Sequence, residues 1–199
     1  MPYDFLLLAA AYLLGSVSTA ILTCRLMGLP DPRGVGSGNP GATNVLRAGG
    51  KKAAIITLLG DLIKGTLPAA AAMLLHRGET VAALAGFAAF LGHLYPIYFG
   101  FKGGKGVATA LGVLIGINPL TGAAVAATWL GMALIFRISS LAALIAFALA
   151  PVYFLLITQA AQAAWVLAVM SVLIFWRHRR NLRNLAQGTE PRIGRKAKD

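Results

Sequence analysis

Apolar residues run through this chain in seven stretches, at about 3–26, 53–75, 80–97, 107–117, 120–136, 141–157 and 163–176, with polar islands between them. Stretches near ~20 residues match the ~30 Å hydrocarbon core of a bilayer. The pattern predicts an all-α polytopic membrane protein with seven transmembrane helices. It reads as one integral-membrane domain, 1–199, whose polar islands at 27–52, 98–106 and 177–190 all belong to one side. The stretch at 107–117 is the outlier, since eleven residues make only about 16 Å of helix. It must be extended at its ends or be a half-helix shielded by protein, and Asn118-Pro119 breaks it. The first stretch carries Asp4 and no Lys or Arg ahead of it. A signal peptide has a positive leading region, so this stretch reads as a first membrane helix.

Composition agrees: 58% of residues are hydrophobic, 12% are charged, and the mean hydropathy is +0.74. The net charge of +12 raises nucleic acid as a partner. The basic groups, however, flank apolar runs instead of covering a soluble face, which excludes that class. With seven crossings, every one of the 18 Lys and Arg residues except Arg77 and Lys64 falls on one side. By the positive-inside rule the N-terminus is outside and the C-terminus cytoplasmic. The single cysteine, Cys24, excludes an intrachain disulfide and a multi-cysteine metal cluster. Three scattered histidines without a carboxylate cluster argue against a metal site, and no cofactor is expected.

The chemistry sits in the islands. The first contains Gly36-Ser37-Gly38-Asn39-Pro40-Gly41-Ala42-Thr43-Asn44-Val45-Leu46-Arg47. Asn39 and Pro40 read as the cap and first residue of a short helix that ends at Gly49-Gly50, with Thr43 and Arg47 on one face. Its glycines and free N–H groups suit an anion. Gly36, Gly38 and Gly41 mimic a dinucleotide fingerprint, but no strand precedes them. The second island, Phe99-Gly100-Phe101-Lys102-Gly103-Gly104-Lys105-Gly106, lacks the first Gly and the final Ser or Thr of a P-loop. Gly103, Gly104 and Lys105 still suit an anion at a helix start. In the third, His178, Asn181, Leu182 and Leu185 follow helical spacing, and Gly188-Thr189-Glu190 folds back over the site. Asp61 and Lys64, three apart in the second run, can pair as a structural couple or serve function. His93 reads equally as a ligand or base or as a hydrogen-bonded helix-end residue.

This inventory is rich in anion binders and poor in acids and bases. It suits phosphorylated substrates held in place and an oxyanion stabilised by fixed donors. No Ser-His-Asp arrangement is traceable, and the His-x4-Asp acyltransferase signature is absent. A transporter of organic phosphates would want similar cations, and a purely structural basic membrane protein would leave the glycine islands without a purpose.

The three islands together resemble the signature motifs of the bacterial membrane acyl-phosphate:glycerol-3-phosphate acyltransferases (PlsY family). They are GSGNPGATNVLR at 36–47, GHLYP with FKGGKGVAT within 92–109, and WRHRRNLRNLAQGTE at 176–190. The resemblance spans essentially the whole chain. It implies transfer of an acyl group from acyl phosphate to the 1-hydroxyl of sn-glycerol-3-phosphate, giving lysophosphatidic acid in the first acylation of phospholipid synthesis. It also implies a bacterial cytoplasmic (inner) membrane location and a peripheral enzyme that makes acyl phosphate upstream. By resemblance Ser37, Arg47, Lys105, His178 and Asn181 are the catalytic and glycerol-phosphate residues. The substrate cradle would be Gly36, Gly38, Asn39, Gly41, Thr43, Asn44, Gly103 and Gly104. Catalysis would be substrate-assisted, a substrate phosphate taking the hydroxyl proton, with Ser37 orienting the hydroxyl, supporting the oxyanion or acting as nucleophile.

Overall fold

The structure is a computed structural model that describes residues 2–193. The described residues form helices separated by turns: α1 (Pro2–Gly15), α2 (Thr19–Leu26), α3 (Ala42–Leu74), α4 (Gly78–Leu94), α5 (Val107–Ile117), α6 (Pro119–Phe136), α7 (Ser139–Thr158), α8 (Ala161–Arg177) and α9 (Arg179–Ala186), with a 3-10 turn at Ile97–Phe99. Five segments are long and apolar enough to cross a membrane, and a sixth qualifies if α8 and α9, bent by 60°, count as one. Leu134, Leu156 and Trp165 are exposed on the outer surface, as lipid-facing side chains are.

The first apolar run is not one helix. It breaks between Gly15 and Thr19, and the carbonyl of Val17 that the break frees accepts a hydrogen bond from Lys64 Nζ at 2.9 Å. Lys64 also pairs with Asp61 at 2.8 Å. The expected pairing is therefore present, and one of its partners is the broken backbone. Such a break survives at membrane depth only where protein satisfies it.

Helix α3 also departs from the expected boundaries. Its cap is Gly41 (φ −144°, ψ 162°), not Asn39. The N–H of Gly41 folds back to the Asn39 carbonyl (2.9 Å), so the first helical bonds, from Asn44 and Val45, run to the Gly41 carbonyl at 3.0 Å. At Gly50 the backbone leaves helical geometry (φ 79°, ψ −178°). That left-handed φ is open to glycine at little cost. The break separates a short leading helix, which carries Thr43, Asn44 and Arg47, from the apolar remainder.

Helix α5 has the residues expected of the short run, and most of its faces are buried against its neighbours. It lies directly on α3 because glycines remove the side chains between them. A methyl group on Gly65 would overlap the Thr109 carbonyl, and one on Gly112 would overlap the Leu62 carbonyl. Thr66 Oγ1 donates to the Gly112 carbonyl at 3.0 Å. Asn118 then stops α5 and caps α6, accepting from Thr121 N at 2.9 Å, with Pro119 in the first turn. The main apolar core gathers Phe90, Leu94, Val113, Leu114, Phe147, Phe154, Met170 and Ile174 from α4, α5, α7 and α8.

This packing predicts that Gly65→Val pushes α5 off α3. The penalty expected for forcing bulk into a packed core is about 1–3 kcal/mol, read as a lowered melting temperature in detergent. An unchanged melting temperature would contradict the backbone-to-backbone contact.

Candidate active site

One cavity of about 1900 Å³ opens where the three polar islands meet. Its walls include Gly36, Ser37, Gly38, Asn39, Gly41, Thr43, Asn44 and Arg47 from the first island, Gly103 and Lys105 from the second, and His178 and Asn181 from the third. Among the expected site residues, Gly104 does not line it. Its N–H donates to the His93 carbonyl (3.1 Å), and its own carbonyl accepts from Arg177.

The first island is held by Asn44. This residue is buried, donates from Nδ2 to the carbonyls of Pro32 (2.8 Å) and Val35 (3.1 Å), and accepts from the Ser37 N–H at 3.0 Å. Its amide is thereby spent on the loop. Gly36 and Gly38 adopt positive φ (57° and 70°), which lets the chain turn around the Asn44 side chain. Thr43 Oγ1 meets Ser139 Oγ at 3.3 Å, linking the first island to the start of α7.

The second and third islands are joined by a chain of hydrogen bonds. Lys105 Nζ donates to Asn181 Oδ1, and Asn181 Nδ2 donates to Glu190 Oε1 at 2.5 Å. Ser140 Oγ donates to the same Glu190 oxygen at 2.6 Å. The segment after α9 does fold back: Glu190, Pro191 and Arg192 line the cavity, and Ile193 N–H reaches the Arg137 carbonyl. Asn181 therefore separates Lys105 from Glu190, leaving the ammonium without a direct carboxylate contact among the described residues.

Burial pushes the Lys105 ammonium down to about 8; Glu190 opposes this shift, and Arg177, Arg47 and Arg180 add to it. His178, between α8 and α9, is held at about 4, first by burial and then by Lys105. Its Nδ1 lies 2.8 Å from the Ile174 carbonyl. A carbonyl only accepts, so Nδ1 carries the proton and Nε2 of the neutral ring is an acceptor. The expected common face of α9 holds in part: Asn181 joins His178 at the cavity, whereas Leu182 is exposed.

Two helix N-termini open into the same space, through Gly41, Ala42 and Thr43 of α3 and through Gly106, Val107 and Ala108 of α5. Below this polar head the walls turn apolar, with Ile55, Leu58, Leu62, Leu111, Val125, Trp129 and Phe147. Ser139, Ser140 and Arg177 were not among the expected site residues, and Glu190 was expected over the site without a role. The topology that grouped Arg137 with the islands carries Ser139 and Ser140 with it, and that was the available signal.

A multi-pass helical membrane protein with a cationic, glycine-lined head site above an apolar groove belongs to the class that handles anionic lipids or their precursors. The comparisons narrow the class to a family. The Glycerol-3-phosphate acyltransferase family model matches residues 5–188. A glycerol-3-phosphate acyltransferase of Thioalkalivibrio sulfidiphilus is 59% identical over 97% of this chain and 95% of its own. One of Methylococcus capsulatus is 54% identical over 98% and 99%. The crystal structure of PlsY (YgiH), an integral membrane glycerol 3-phosphate acyltransferase, in its glycerol 3-phosphate form superposes with a TM-score of 0.92 at 41% identity, covering 96% of both chains. The lysophosphatidic acid form gives 0.88 at 38% identity over the same share of each chain. The chain belongs to the glycerol-3-phosphate acyltransferase family, as a multi-pass membrane acyltransferase of the PlsY type.

Lys105 carries its charge below about pH 8 and loses it above. If Lys105 holds the phosphate of glycerol-3-phosphate, affinity should fall as pH rises through that value, approaching ~10-fold per unit, the limit for one proton. Calorimetry from pH 6.5 to 9.5 checks this, with Lys105→Met weak and flat across the range. A pH-independent wild type would contradict the role of Lys105.

Proposed function

We propose that the chain transfers a fatty acyl group from acyl phosphate to the 1-hydroxyl of sn-glycerol-3-phosphate, releasing lysophosphatidic acid and inorganic phosphate. The observation that carries the reading is the single cavity, cationic at its head and apolar along its walls. It suits an anionic head attached to a fatty chain beside a small dianion. In this reading Arg47 and Lys105 hold the glycerol phosphate, with Asn181 fixing the Lys105 ammonium. The N-termini of α3 and α5, with their glycines, hold the acyl phosphate, and the fatty chain runs down the apolar wall.

The hydroxyl oxygen attacks the acyl carbon, forming the ester bond, and the bond from that carbon to the phosphate oxygen breaks. The hydroxyl proton passes to a substrate phosphate, whose second pKa near ~6 suits it as a base. His178, neutral with Nε2 as acceptor, supports this by orienting the hydroxyl, and Ser37 steadies the oxyanion or the hydroxyl. No protein carboxylate is needed in this reading: Glu190 Oε1 accepts from Asn181 and Ser140, and Asp61 pairs with Lys64. The reading includes seven crossings, the N-terminus outside, the C-terminus cytoplasmic, the bacterial inner membrane, and acyl phosphate supplied by a peripheral enzyme.

Detergent-purified protein given acyl phosphate and glycerol-3-phosphate, with no second protein and no added metal, should form lysophosphatidic acid. Product from acyl-CoA or acyl carrier protein but none from acyl phosphate would overturn the donor assignment. Arg47→Ala should raise KM for glycerol-3-phosphate by at least ~10-fold, about 1.4 kcal/mol of lost binding, and a normal KM would remove Arg47 from the phosphate. Rapid-quench kinetics should show no covalent acyl-enzyme. A burst present in the wild type and absent in Ser37→Ala would make Ser37 the nucleophile.

A further inference from the structure

The loop before α5 is gripped from two sides. On one side Arg177, the last residue of α8, donates from Nη2 to the Gly103 carbonyl at 2.7 Å and from Nε to the Gly104 carbonyl at 3.0 Å. The guanidinium lies 5.6 Å from the centre of the Tyr95 ring. On the other side the Gly104 N–H donates to the His93 carbonyl, and a methyl group on Gly104 would overlap His93 Nε2. His93 is backed by Asp61 (Nδ1 to Oδ1, 3.5 Å), which pairs with Lys64, which in turn holds the Val17 carbonyl.

Two successive carbonyls drawn to one planar fork fix two successive peptide planes. In a trans peptide the N–H points opposite the carbonyl. The Lys105 N–H is thus turned away from Arg177, and among the described residues it has no acceptor. The same fixed peptides aim the Lys105 side chain at Asn181. Arg177 itself spends Nε and Nη2 on the loop, unlike Arg47, which has no such partner in the cavity wall.

We infer that Arg177 is a positioning residue: it clamps the Gly103-Gly104 peptides against His93 and so sets where Lys105 meets an anionic substrate. This rests on the reading of the cavity as the glycerol-3-phosphate site. Among the arginines of the third island, this one grips the loop before α5. A lysine, having the charge without the fork, is no substitute.

The test uses the full-length chain in detergent, as wild type, Arg177→Lys and Arg177→Gln. Binding of glycerol-3-phosphate is followed by calorimetry from pH 6.5 to 10, with hydrogen exchange of residues 102–106 and melting temperature alongside. Arg177→Lys should weaken binding ~10-fold or more at pH 7 and speed exchange at 102–106, with the melting temperature little changed. Glu190, Arg47, Arg180 and His178 still face Lys105, and the charge at 177 is kept. An alkaline move of the pH midpoint from about 8 therefore reports a loosened loop. Arg177→Gln, which also loses the charge, should move it further.

Wild-type affinity, midpoint and exchange in Arg177→Lys would overturn the clamp. Weakened binding with unchanged exchange and midpoint would overturn it too, by making Arg177 a direct substrate ligand. A wild type that does not bind glycerol-3-phosphate would instead sink the reading of the cavity, and the exchange comparison alone would still decide the clamp. If Arg177→Gln fails to fold, the charge-retaining variant carries the result.

Discussion

In hydrocarbon an unpaired backbone group costs several kcal/mol, and this chain interrupts its helices at depth and beside its site nonetheless. Three of these interruptions are answered by specific groups. Lys64 takes the Val17 carbonyl freed between α1 and α2. Asn118 Oδ1 takes the Thr121 N–H in the first turn of α6. Arg177 takes two carbonyls of the loop before α5. The buried Asp61–Lys64 pair is central to this arrangement, because the charge that repairs the backbone needs a counter-charge, and that carboxylate also stands beside His93. From His93 the support reaches Gly104 and hence the cavity. A structural couple in the second run and the half-buried Lys105 are thus linked through the His93 side chain and the Gly104 peptide.

The cavity itself is governed by what its charges are not paired with. Arg47, Lys51, Lys105, Arg177, Arg179, Arg180, Arg183 and Arg192 line it, against Asp61 and Glu190. Asp61 is neutralised by Lys64, and Glu190 is held by two neutral donors, Asn181 and Ser140. Had Glu190 met Lys105 directly, an ion pair would have consumed the potential that an anionic substrate needs. The interposed Asn181 keeps the lysine fixed yet available. Desolvation then makes Lys105 easier to discharge and also makes its attraction for a phosphate stronger, since both follow from the lowered local dielectric.

Much of this was legible from the residues. The apolar runs, the Asn118-Pro119 break, the Asp61–Lys64 pairing and the three islands all follow from local composition, because a bilayer leaves few ways to satisfy a backbone. Helix boundaries inside the islands were less legible. Asn39-Pro40 has the composition of a cap, but the Gly41 N–H folding back on Asn39 delays the helix to Ala42. Gly15-Ser16-Val17-Ser18-Thr19 is the small, polar stretch of the first run, but such residues also occur in continuous membrane helices, and only Lys64, distant in sequence, makes the break at Val17 tolerable. Asn44 has the same amide as Asn39 and Asn181, yet its contacts bury it under its own loop. Arg177 sits in a run of arginines, and spacing cannot tell the one that grips a loop from those that face water.

Residues far apart in sequence meet in one cavity, and in the proposed topology that cavity opens on the cytoplasmic face of the membrane. The most direct measurement is labelling of single cysteines, in a Cys24→Ala background, by a membrane-impermeant reagent in sealed inner-membrane vesicles of known orientation. Lys51→Cys, Lys102→Cys and Gln187→Cys report the three islands, and Gln162→Cys reports the opposite end of the bundle. The account predicts that the first three label only from the cytoplasmic face and the fourth only from the other. Labelling of any one island from the outer face would contradict it.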